Sequence, residues 1–269
     1  MKISTDLNAT IEYPSQIWSW WVTEFPVDYS DIQNRCDSSK LGKKLVSMDD
    51  VFGYLLIPEN KTTEFEAWGL EVTGHAGIYG KSLLLQNHDT KRYACSSIAM
   101  LDKTSEKIAV ATFNSPVFGD VFFRWFSTKD HVKDMLITAD LYHVADVEKL
   151  GTKVDFSEHS WKIYATDILE AHKGRTDENC NSLQIVFDPG NRGRDNAFGD
   201  VDTRVGKLKI STDGVKRRYK SLFRDEELVL LPSDLKGQRK LYLVIFESKH
   251  KNSFLACAKI RYGDPINAR

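Results

Sequence analysis

The chain passes through one order of landmarks twice, and that repeat limits the folds open to it. Met1-Lys-Ile-Ser-Thr-Asp-Leu7 returns as Met135-Leu-Ile-Thr-Ala-Asp-Leu141, and Trp20-Trp-Val-Thr23 returns as Trp161-Lys-Ile-Tyr164. Cys36 returns as Cys180, and Phe52-Gly-Tyr54 as Phe198-Gly-Asp200. Lys81-Ser-Leu-Leu-Leu85 matches Glu227-Leu-Val-Leu-Leu231, and Ala94-Cys-Ser-Ser-Ile98 matches Ala256-Cys-Ala-Lys-Ile260. The offset grows from 134 residues at Met1 to 162 at Ala94, as loop insertion in the second copy would give. A repeat of this length is a whole domain rather than a solenoid unit. The expected domains are residues 1–103 and 104–269, divided near the polar stretch Asp102–Glu106.

The apolar stretches are short, alternate with period two and sit between turn residues. Ile108, Val110 and Thr112 fall on one face, with Ala109, Ala111 and Phe113 on the other. Asn114-Ser-Pro116 turns the chain, and Val121, Phe123 and Trp125 then share a face. Strands at such spacing predict an all-β sandwich or barrel. At most, Asp167–Lys173 and Ser233–Lys236 make short helical pieces. The second copy has two strands, Lys107–Phe113 and Asp120–Phe126, ahead of the strand Asp134–Val144. The first copy begins at the equivalent of Met135, so its opening strands are missing. The expectation is an N-terminally truncated first domain with an open sheet edge, part of a longer multi-repeat protein. A protein partner or a neighbouring repeat would cover that edge.

A formal net charge of -1 gives no footprint for nucleic acid or an anionic membrane. Each copy carries two cysteines at equivalent positions, and no C-x-x-C occurs. One disulfide per domain follows, Cys36–Cys95 and Cys180–Cys257, and with it an oxidising compartment. The sequons at Asn8 and Asn60 agree with a secreted, glycosylated chain. The opening residues have no apolar signal segment, so any signal peptide is expected further upstream.

This order of landmarks resembles a copper/zinc superoxide dismutase. Ser115-Pro-Val-Phe-Gly-Asp-Val-Phe-Phe123 looks like the family's first hairpin. Cys180 with Asp188-Pro189 resembles the disulfide cysteine followed by Asn-Pro, and Gly199-Asp200 the Gly-Asp closing the zinc loop. Arg92-Tyr-Ala-Cys95 resembles the Arg-Leu-Ala-Cys that carries the active-site arginine. The resemblance implies two tandem Greek-key sandwiches. It does not carry the metal chemistry across. The family's His-x-His reads Trp21-Val-Thr23 in one copy and Lys162-Ile-Tyr164 in the other. The histidine before Asn-Pro aligns with Val186, the last copper histidine with Gln86 and Pro232, and a zinc histidine with Ala197. The zinc aspartate survives as Asp200 and aligns with Tyr54 in copy one; the arginine survives as Arg92 and aligns with Phe254 in copy two.

The expected function is therefore non-catalytic: a secreted structural or binding scaffold with no resident cofactor. The rival expectation is a superoxide dismutase or copper/zinc binder, its ligands misaligned or supplied by another repeat. Asp200 is the one candidate metal ligand, near Asp188, Asp195 and Asp202. Its plainer use is to accept backbone N–H groups and pin a loop. Arg92 is a candidate anion contact whose plainer use is pairing with a carboxylate. His75 with His88, and His143 with His159, are read as isolated loop histidines rather than metal sites. Alternation places Trp18 and Trp20 on one face and Trp21 on the other, with core filling the first expectation.

Overall fold

The computed structural model describes residues 17–27, 33–56, 65, 70–72, 76–89, 93–98, 106–127, 132–143, 156–167, 183, 185–189, 197–211, 219–230, 239–248 and 253–263. The chain divides into two compact units, Met1–Leu101 and Asp102–Arg269. Asn8, Asn60, His75, Arg92, Cys180, Asp195 and Pro232 lie outside the described residues, as does the landmark Met1–Leu7.

In the first unit, five strands form one antiparallel sheet. They are β1 (Ile17–Thr23), β2 (Lys44–Ser47), β3 (Leu55–Leu56), β4 (Ser82–Asn87) and β5 (Tyr93–Ser97). The order is β2-β1-β4-β5, and β3 also pairs with β1. Two short helices, α1 (Ser38–Leu41) and α2 (Asp49–Phe52), flank β2. Alternation along β1 buries Trp18, Trp20 and Val22 with Leu83, Leu85, Met48 and Ile78. The other face packs Trp21 with Val27, Leu41 and Leu84 against the Cys36–Cys95 disulfide, whose Cα atoms are 5.5 Å apart. Lys44 Nζ lies 3.3 Å from the Trp21 ring centroid. All three tryptophans thus serve packing.

The second unit starts as a meander: β6 (Glu106–Asn114), β7 (Val117–Ser127) and β8 (Val132–His143). It continues through β9 (Phe156–His159), β10 (Trp161–Asp167), β11 (Ile185–Val186), helix α3 (Val201–Val205), β12 (Leu208–Ser211), β13 (Tyr219–Asp225), β14 (Arg239–Phe246) and β15 (Phe254–Gly263). The chain leaves β8 for β10, yet β13 returns to pair with β8. β14 pairs with β10, and β15 pairs with both β14 and β6. These crossings make a Greek-key sandwich, with β15 joining the two sheets. Its core takes alternate residues from each strand, including Val121, Phe123 and Trp125 of β7, Ile163 of β10 and Leu243 of β14. Each such side chain contributes about 1.5–3 kcal/mol on full burial. At Gly119 φ is +115°, and an added Cβ would collide with the Asp140 carbonyl oxygen on β8. Only glycine permits this close approach.

Strand register shows two settings that are alike in the two units and that the landmark strings did not pair. In the first unit Leu84 lies between Trp21 and Cys95. The residue between Lys162 and Cys257 in the second unit is Val244. Leu241–Ile245, and not Glu227–Leu231, thus lies between a tryptophan strand and a cysteine strand in the second unit, as Ser82–Leu85 does in the first. Leu228 and Leu230 enter the core just after β13 instead. Two Leu-rich pentapeptides are alike as strings, and only pairing separates them. Likewise, the Trp20 indole N–H donates to Gly53 O at 2.9 Å and the Trp161 indole to Gly206 O at 2.8 Å. Both glycines have positive φ, +78° and +96°, and both cap a short helix, α2 and α3. Gly53 and Gly206 thus have the same local setting, each accepting a tryptophan N–H at the end of a short helix. The short helices fall where no helix was expected. Asp167 ends a strand, and residues 168–173 and 233–236 lie outside the described set.

Candidate functional site

In the second unit, β10 sends Trp161, Ile163 and Ala165 into the core, so Lys162 and Tyr164 point the other way. On β14, Tyr242, Val244 and Phe246 share that outer face and cluster with Leu183, Tyr164, Phe254 and Cys257. Lys162, Tyr164, Val186 and Ala197 occupy the positions that the dismutase resemblance assigns to metal histidines. On β14, Phe246 N–H donates to Ser160 O at 2.9 Å, while Pro232 lies outside the described residues.

The residues at these positions form a structure of their own. Lys162 Nζ lies 2.5 Å from Asp200 Oδ1, and the Asp200 side chain is 4% exposed. Burial pushes the Lys162 ammonium down, but the close carboxylate of Asp200, with Asp202 adding, outweighs it and the net shift is upward. Burial raises the neighbouring Tyr164 phenol, with Lys162 opposing and Asp200 reinforcing. Asp200 precedes α3, its side chain makes no capping bond to that helix, and its ion-pair partner is Lys162.

Backbone geometry holds Asp200 in place. Gly199 N–H donates to Phe187 O at 2.7 Å, and Ile163 N–H donates to Gly199 O at 2.9 Å. A Cβ on Gly199 would meet Ile163 O and Phe187 N, so this wedge requires glycine. Arg204 on α3 fastens the same turn. Its guanidinium donates to Asp225 (Nε to Oδ2 at 3.0 Å, Nη2 to Oδ2 at 2.8 Å) and to Phe198 O at 2.7 Å and Ala197 O at 3.1 Å. Asp225 in turn accepts from Glu227 and Leu228 N–H. The sequence reading missed Arg204 and Asp225, because nothing local links residues 21 positions apart.

Beside this ion pair lies a cleft of about 420 Å³, lined by Lys162, Tyr164, Ser160, Phe246 and several charged side chains. Among the described residues, no group of three or more His, Cys, Asp or Glu side chains converges as a metal site. Asp188 and Asp202 are described; Asp195 and Arg92 lie outside the described residues.

The histidines sort differently from expectation. His88 Nε2 is 2.6 Å from Ser19 Oγ in the first unit, with Tyr54 edge-on to its ring. His143 and His159 are not isolated, since their ring centroids lie 5.8 Å apart. Burial lowers both, and for His143 the adjacent His159 adds to this.

The Cys36–Cys95 bond is present. Cys257 is also disulfide-bonded, and its expected partner Cys180 lies outside the described residues. Among the described residues no helix is long and apolar enough to cross a membrane.

No family model matches the chain, and no curated protein matches it. Solved structures similar to it include Candida albicans superoxide dismutase 5 in its Cu(II) form, at 16% identity and a TM-score of 0.36, covering 60% of this chain and 94% of that one. A glutamate-to-glutamine variant of the same protein matches at 16% identity and a TM-score of 0.35, covering 61% of this chain and 99% of that one. The second unit's strand order is that of a Greek-key β-sandwich, the all-β class expected from the sequence.

Proposed function

We propose that this chain is a non-catalytic, secreted scaffold of tandem superoxide-dismutase-like domains, whose copper ligands are lost and whose role is structural or partner-binding. The observation that carries the reading is the Lys162–Asp200 ion pair. An ammonium has three donors and no lone pair, so it cannot ligate a metal. Standing at a ligand position, it supplies to Asp200 the positive charge that a metal would otherwise bring. Tyr164, Val186 and Phe246 beside it offer no imidazole, the donor suited to redox copper.

Tandem duplication is supported by the paired Trp20–Gly53 and Trp161–Gly206 hydrogen bonds and by the common register around Cys95 and Cys257. Secretion is supported by the Cys36–Cys95 disulfide. A partner surface on the first unit is supported by its exposed apolar side chains. Among the described residues, the large exposed hydrophobics Ile17, Leu45, Val51, Tyr54 and Tyr93 all belong to that unit. Exposed apolar groups of this kind mark interaction sites when they form a patch.

The test is superoxide dismutation by the full chain after expression with excess copper and zinc. The expected rate does not exceed that of the free ions. A rate well above that background, lost on dialysis against a chelator, would overturn the proposal in favour of the enzyme.

A further inference from the structure

We propose that His143 and His159 form an acid-operated latch that holds β9 against the end of β14 and thereby fixes one wall of the cleft. The bonding of His159 defines the closed state. Its Nδ1 lies 2.7 Å from Phe246 O, a carbonyl that can only accept, so Nδ1 carries the proton. Its Nε2 lies 2.7 Å from Ser157 Oγ, so Nε2 accepts from the hydroxyl. The residue is 4% exposed and, as neutral imidazole, has both nitrogens satisfied. His143 hydrogen-bonds the backbone of Pro116. Proline has no N–H, so His143 donates to the Pro116 carbonyl and leaves its other nitrogen open to a proton.

A proton on His159 changes each of these terms. Nε2 becomes a donor, and the Ser157 hydroxyl must turn to accept. A charge appears in a buried place, facing a second imidazole 5.8 Å away between ring centroids. The other titratable groups nearby do not offset it. On β9 and β12, Glu158 and Lys209 are register partners, and Glu158 alternates to the face opposite His159. Lys207 before β12 and Glu247 after β14 line the cleft. On β8, Tyr142 stacks on Phe118. Among the described residues no ion pair joins either imidazole to a carboxylate.

The latch reaches the cleft through Phe246. His159 holds its carbonyl, Ser160 holds its N–H, and Ser160, Phe246, Glu247 and Ser248 line the cavity. Both histidines titrate below the ordinary value of 6.5, so the open form binds more protons than the closed one just below that pH. Closure is complete above about pH 6.5 and is lost as the pH falls through the lowered values.

The experiment is hydrogen exchange of the full chain between pH 7.5 and 5, corrected for intrinsic rates and read over residues 156–160 and 244–248. Opening coupled to two protons changes protection by up to about a hundredfold per pH unit, and opening coupled to one by up to about tenfold. The wild type should show the steeper response. His143→Gln, at a half-buried position that tolerates the change, should show the shallower one. His159→Gln, which breaks the bond to Phe246 O and leaves only His143 to titrate, should lose protection at pH 7.5 and respond no more steeply than one proton allows. Protection independent of pH in the wild type overturns the latch, as does a His143→Gln response as steep as the wild type.

Discussion

Lys162 Nζ sits 2.5 Å from Asp200 Oδ1, joining a strand residue one-third exposed to a carboxylate that is buried. The asymmetry sets the cost of breaking the pair. Lys162→Met strands the buried anion and is expected to destabilise the second unit by about 1–3 kcal/mol, below the full buried-pair range because Lys162 is partly solvated. Asp200→Asn leaves an ammonium that can swing to water and should cost under about 1 kcal/mol. Urea unfolding of the two variants checks the order. Equal costs would show that Asp200 does not depend on Lys162.

The glycines give a contrast that separates backbone strain from collision. Gly206→Ala at φ +96° meets nothing within 4 Å, so only the left-handed backbone is penalised, by about 1–2 kcal/mol. Gly119→Ala adds a collision with the β8 backbone and should cost about 3 kcal/mol or more. Thermal melts of both variants, with the unit's transition followed by circular dichroism, provide the comparison.

The β class and the hairpin β6–β7 were legible because period-two alternation leaves a local trace. The Lys162–Asp200 pair was only half legible. Both residues stood at marked positions, but a cation meeting an anion across 38 residues is a property of packing. That Leu241–Ile245 pairs with β10 and β15 while Leu228 and Leu230 enter the core beyond β13 was hidden because composition cannot tell a paired strand from a core-entering loop. The His143–His159 contact was hidden for a related reason: the residues flank a loop in sequence, and only the ladders through β12 bring them together.

The two units should behave differently when separated. The second unit closes its sheet through the β15–β6 ladder, whereas the first exposes Ile17, Tyr54 and Tyr93. Residues 104–269 are expected to be a soluble monomer, and residues 1–103 to self-associate. Light scattering on both pieces decides this. A monomeric 1–103 with a cooperative melt would remove the case for an open edge in the first domain.

Cysteine pairing extends to the second unit by the same register that places Cys257 opposite Val244. Non-reducing peptide mapping should recover Cys36 with Cys95 and Cys180 with Cys257. A crosslink between the two units would contradict the reading of each domain as its own disulfide-locked sandwich.

The proposal that Lys162 gives Asp200 the positive charge a metal would bring implies a chain without tightly held copper. Its most direct test is elemental analysis of the full chain, refolded or expressed with excess copper and zinc and then dialysed. The prediction is far less than one copper per chain, with Lys162→His alone insufficient to restore it. One tightly held copper per wild-type chain would contradict it.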